Sequence, residues 1–136
     1  MTFALALNRY RATEAIALER TEQPYEVVLV TLKELGRALE VLAVSQESGR
    51  PYQAEHLNRA LTAIYILQTS LDFEEGGDLA LDLFQLYEFS RFHVIKAWKN
   101  EDDARLRDAS DAMAQILAGW REIRQEVPQS AARMAG

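Results

Sequence analysis

Two histidines, His56 and His93, and the paired carboxylates Glu74 and Glu75 are the side chains through which this 136-residue chain could do chemistry. In a helical bundle, a di-iron centre needs a Glu three residues before a His on facing helices. Gln53 and Ser90 hold those places here. There is no His-Glu-x-x-His, no phosphate-cradling Gly-rich loop and no serine elbow. Glu74 and Glu75 have no His or Cys close in sequence and read as a solvated loop. No metal, other cofactor or catalytic group is expected.

One arrangement has a sharper meaning. His93-Val94-Ile95-Lys96-Ala97 resembles the His-x-x-Lys-Gly of histidine phosphotransfer bundles, where an exposed His carries phosphate and the Lys neutralises it. The Gly that leaves room for the phosphoryl group is Ala97 here. At the pitch of a helix His93 also falls only about 20–40° from Leu79, Leu86 and Ala97, on the flank of an apolar stripe. The spacing therefore predicts a half-buried structural histidine, with phosphotransfer as the rival.

The elements that would position these groups can be read from breaks and apolar spacing. Pro24 and Pro51 suit helix starts, where a missing N–H has no partner to lose. Residues 45–50 read as a loop that Gly49 opens by ending a helix, and 74–77 as a second break, with Asp78 able to cap the next helix. The acids of 100–103 suit the start of a last helix. Between breaks, Val28, Leu32, Leu35, Leu39 and Leu42 alternate steps of four and three. Leu57, Leu61, Ile64 and Leu71 share one register, with Gln68 in the remaining slot. Leu106, Ala109, Met113, Ile116, Trp120 and Ile123 share another. This is the seam of an all-α, antiparallel up-down four-helix bundle, with helices near 24–45, 51–73, 78–99 and 103–126. Residues 1–22 form an N-terminal arm or short helix, 23–127 the bundle and 128–136 a flexible tail.

Composition narrows the function. Net charge is −6 and pI about 5.0. That opposes nucleic acid, which needs a basic stripe to displace counterions, and anionic membrane surfaces. Cysteine is absent, so a reducing compartment, the cytoplasm, is the expected home. No apolar run approaches the ~20 residues that span a bilayer. Phe3–Leu7 is too short, and too close to Arg9 and Arg11, for a signal peptide.

The third helix carries more apolar surface than a bundle needs: thirteen of the twenty residues from Leu79 to Trp98 are apolar or aromatic. With the core direction taken through Leu79, Leu83, Leu86, Val94 and Ala97, Leu81 and Phe92 point nearly the opposite way. Phe89 flanks them, and Gln85, Glu88 and Lys96 share that face. Ile66 on the second helix, and Val30 and Val41 on the first, are similarly misplaced. A lone exposed apolar residue needs no explanation, but such a cluster marks a partner. The arm or a second copy could also cover it. Gly36 and Gly119 stand inside strong helices at about 1 kcal/mol each against Ala. Close helix packing is their ordinary reading, room for a client backbone the other.

Several segments taken together are distinctive. They are Ser70-Leu71-Asp72, Glu75-Gly76-Gly77-Asp78-Leu79-Ala80, Leu83 and Leu86-Tyr87-Glu88-Phe89, with Trp120 late in the last helix and Tyr10 in the arm. In these the chain resembles the flagellin-specific export chaperones, the FliS family, from about Tyr10 to Ile123. It departs at Leu32-Lys33-Glu34, where the family has Tyr-Asp-Gly, at Phe92-His93, where it has Arg-Arg, and at Trp98, where it has Asn. The resemblance implies a cytoplasmic, non-enzymatic bundle. It would bind the C-terminal segment of flagellin, disordered alone and helical in the filament, prevent premature polymerisation and deliver the complex to the flagellar export gate. The expected client-binding residues are Tyr10, Val30, Ile66, Leu81, Gln85, Phe89 and Phe92, with Tyr10 as a mobile lid. Monomer or weak homodimer is expected; a self-associating helical adaptor is the third reading.

Overall fold

A computed structural model describes the backbone of residues 23–135 and the side chains of residues 26–122. Four helices run in sequence: α1 Gln23–Glu47, α2 Ala54–Thr69, α3 Phe73–Trp98 and α4 Leu106–Ala135. No strand occurs among the described residues. Each helix packs against two neighbours, in the order α1–α2–α3–α4 and back to α1, and among the described residues none packs across the diagonal. This is the expected antiparallel bundle. Tyr10 and the arm lie outside the described residues.

The apolar period explains the core. All five residues of the α1 series are buried, as are Leu57 and Ile64 of α2 and Leu106, Ala109, Met113, Ile116 and Trp120 of α4. Leu61 and Leu71 pack against that core from its edge. Leu86 does not fit the pattern. It sits on the core-facing side of α3 yet is 39% exposed. Among the described residues α3 and α4 touch less than any other neighbouring pair, a thin seam beside which a flanking residue of α3 stays open.

Helix boundaries differ from the sequence reading where side chains compete with the helix for backbone groups. α2 starts at Ala54 rather than Pro51 because Tyr52 packs on the core, which holds Gln53 extended (φ −85°, ψ 133°). α3 opens with a turn at Phe73 and runs on as a long helix after Gly77, within the break that the sequence places at 74–77. Asp72, not Asp78, caps it, and its Oδ1 accepts from the N–H groups of Glu74 and Glu75 at 3.1 Å each. One turn later Gly77 takes φ 54°, ψ −132°, a non-helical conformation that kinks α3 between its opening turn and the long helix that follows. α4 starts at Leu106 rather than 103 because the preceding residues are held elsewhere. The Arg105 N–H donates to His93 Nδ1 at 2.9 Å, and Gln46 Nε2 donates to the Ala104 carbonyl at 2.7 Å. At its far end α4 continues past 126 to Ala135.

Close packing does not explain two glycines. A Cβ placed on Gly36 or Gly119 would meet nothing within 4 Å among the described residues. Gly36 therefore lowers helix propensity with no contact in return. We expect Gly36→Ala to stabilise the bundle by about 0.5–1 kcal/mol, measured by urea denaturation; a destabilised variant would mean that a neighbour does press on this position.

Candidate functional site

The kink at Gly77 and the Asp72 cap fix the rotation of α3 about its axis. Ala80, Leu83, Tyr87, Ser90, Val94 and Ala97 then face inward, at helical steps of three and four. Residues half a turn away must face solvent. Leu81 is 47% and Phe92 58% exposed, and Gln85 is exposed between them. These three form a strip along the outer side of α3, two apolar groups with an amide in the middle.

Polar contacts frame the strip. On the α2 side Glu88 accepts from Gln68 Nε2 at 2.9 Å and from Arg91 Nε at 2.6 Å. The Arg91 guanidinium, then the Gln68 amide, hold the Glu88 carboxyl below its usual range. At the far end the Lys96 ammonium sits 5.4 Å from the Phe92 ring centroid and 2.7 Å from Asp103. Lys96 holds the Asp103 carboxyl below its ordinary range. Exposed pairs of this kind contribute little stability each, about 0–1 kcal/mol; here they orient side chains around the strip.

Phe89 is less open than the other expected client contacts on α3. It is half-buried and packs on the core, with its ring centroid 4.5 Å from that of His93 and the Arg105 guanidinium 5.3 Å above it. It supports the strip from the α4 side. Val30 and Ile66 are exposed, but elsewhere. They line a groove of about 350 Å³ between α1 and α2, with Glu34 and Arg59 at its edge. The Gln68–Glu88 bond marks the α2–α3 seam, so α2 stands between the groove and the strip. The structure thus brings Leu81, Gln85 and Phe92 together and sets Val30 and Ile66 apart as a second surface. Val41 is half-buried.

Sequence reasoning missed the exposure of Phe73, Tyr65 and Trp98. Phe73 falls at the expected end of the second helix, and its edge-to-face contact with Phe84, 5.7 Å between centroids, depends on the extra turn at the start of α3. The exposed ring of Tyr65 was open to discovery, since it comes 100° of helix after buried Ile64.

His93 has a structural place. It is only 7% exposed, is flanked by the rings of Phe89 and Phe92, and spends Nδ1 on the Arg105 N–H. A phosphoryl acceptor needs open space around its imidazole, and this ring has none on those sides. Burial, then the charges of Lys96 and Arg105, push its pKa below the ordinary histidine value, against weaker pulls from Asp103 and Asp108. The folded state therefore binds a proton less readily than the unfolded chain. The neutral-His93 contribution to stability is complete above the ordinary value of about 6.5 and falls as pH drops below it. We expect the stability advantage of wild type over His93→Gln, measured by urea denaturation, to shrink between pH 7 and pH 5; a constant difference would contradict the buried neutral imidazole.

Among the described residues, no group of three or more His, Asp or Glu side chains is placed to hold a metal ion. None of the helices searched is long and apolar enough to cross a membrane.

Comparison with known proteins places this architecture. The family described as "Flagellar protein FliS" matches residues 6–127. The chain is 27% identical over 119 residues to the flagellar secretion chaperone FliS of Vibrio cholerae serotype O1, covering 87% of this chain and 88% of that one. It is 23% identical over 116 residues to the flagellar secretion chaperone FliSB of Pseudomonas aeruginosa, covering 85% and 92%. No solved structure matches it.

Proposed function

The chain belongs to the FliS family of flagellar proteins, and from that premise we propose that it is a flagellar secretion chaperone whose client is the C-terminal segment of newly made flagellin. It holds that segment away from self-assembly in the cytoplasm and delivers it to the flagellar export gate. It works by binding, without catalysis or cofactor.

The observation that carries this reading is the outer strip of α3. A helix in a small bundle needs one apolar side, and α3 has its core side filled by Leu83, Tyr87 and Val94 while Leu81 and Phe92 stay in solvent. A client that is disordered when free loses conformational entropy on binding. The surface that orders it must therefore offer several apolar contacts, each worth roughly 1.5–3 kcal/mol when covered. An amphipathic client helix laid along α3 would cover Leu81 and Phe92 and give Gln85 a hydrogen-bond partner that sets its register. Val30 and Ile66 provide a second contact further round the bundle, and Tyr10 and Phe89 complete the set.

The test is calorimetry of the full chain with a recombinant flagellin C-terminal segment, alongside light scattering of flagellin assembly. Binding with suppressed assembly supports the chaperone role. Absence of binding removes it. The same exposed strip could instead pair two copies of this chain; light scattering of the protein alone distinguishes this, since a monomer near 15.4 kDa leaves α3 free for a client.

A further inference from the structure

Between α1 and α4 runs a trough of about 430 Å³ that the α3 strip does not touch. Its floor is Gly36 with Met113 and Leu117, and its rim carries Lys33, Arg37 and Arg121. We propose that this trough is a second client site, which takes an acidic, amphipathic helical stretch of the flagellin segment; this rests on the chaperone reading above.

Three observations carry it. The glycine in the floor has no packing reason among the described residues, where an added Cβ would meet nothing within 4 Å. A glycine in a helix face admits close approach by another backbone. The rim is cationic on a chain whose net charge is −6. Lys33 and Arg121 are exposed and have no ion pair among the described residues, while Arg37 touches Glu34 only at 3.3 Å and in solvent. The one acid in the lining, Glu40, is already engaged by Arg107 at 2.6 Å and Ser110 at 3.0 Å. The free charge of the trough is thus positive, and the complementary occupant is an apolar ridge edged with carboxylates. Such a site draws its partner by an attraction that salt screens. It also explains why a strong helix former is not used at position 36, where Ala or Leu would favour the free protein.

Calorimetry of the full chain with the recombinant flagellin C-terminal segment decides the matter. Gly36→Leu fills the floor and is expected to weaken binding about tenfold or more while the helix content is kept. Lys33→Glu with Arg121→Glu leaves the core intact and is expected to weaken binding at low salt, with the loss shrinking at high salt. If wild type binds and both variants bind equally well, the trough is not a client site, though the chaperone reading stands. If wild type does not bind, both fall. Two other results overturn the proposal by assigning a different occupant. One is a change of oligomeric state in Gly36→Leu, which gives the trough to a second copy. The other is a lower melting temperature with binding intact, which gives it to residues 1–22 of the same chain.

Discussion

Replacing Leu81 and Phe92 together with Asp is expected to weaken binding of the flagellin C-terminal segment by about a hundredfold or more. Covering each side chain is worth roughly 1.5–3 kcal/mol, so losing both removes about 3–6 kcal/mol, and each 1.4 kcal/mol is a factor of ten. Carboxylates in their place would have to be desolvated beside an apolar client, which adds to the loss. The fold should not suffer. Leu81 and Phe92 point into solvent, and the buried side of α3 is untouched. Far-ultraviolet circular dichroism should therefore match wild type while calorimetry shows the binding lost. An unchanged affinity would mean that the client docks elsewhere on the bundle.

Gly77→Val is expected to destabilise the fold by about 2–3 kcal/mol, more than any of the other single changes named above. At φ 54°, ψ −132° this residue lies outside every region open to a side chain, and a β-branched one is the least tolerant. The neighbouring position is no freer: a Cβ on Gly76 would stand 2.6 Å from that of Ala80. The two glycines make a joint in which residues 73–76 form one capped turn and the rest of α3 continues at a new angle. Changing the joint would also rotate Leu81 and Phe92 relative to the bundle, so client binding should fall along with stability. Urea denaturation measures the first effect; a loss below about 0.5 kcal/mol would show that the kink relaxes at little cost.

That joint illustrates how much was legible in the sequence. The segments that carry the family likeness turn out to build the start of α3. Asp72 is its cap, Gly76 and Gly77 its kink, and Ala80, Leu83 and Tyr87 its buried side. They identify the family by its architecture, and the proposed client surface lies on the residues between them. The steps of four and three place Leu32, Leu35, Leu39 and Leu42 correctly in the core because periodicity reports which side of a helix faces inward. It does not report how near the neighbouring helix stands. Leu86 is therefore exposed at the thin α3–α4 seam, and Gly36 and Gly119 face open space, although the pattern suggests close packing for all three. Side-chain bonds to the backbone are likewise illegible. Arg105 donating to His93 delays α4 by three residues, and no local rule relates positions twelve apart in sequence across a loop. Phe89 reads as an outer residue because its angle is intermediate; Arg105 stacked above it and His93 beside it leave it half-buried.

The central claim is that the outer side of α3 receives the client. Photo-crosslinking tests it most directly. A photoreactive residue is placed singly at position 81, 85 or 92, and at exposed Ser48 in the loop between α1 and α2 as a control, in the presence of flagellin. The account predicts adducts to the flagellin C-terminal segment from the three α3 positions and none from position 48. Adducts from position 48 with none from α3 would contradict it.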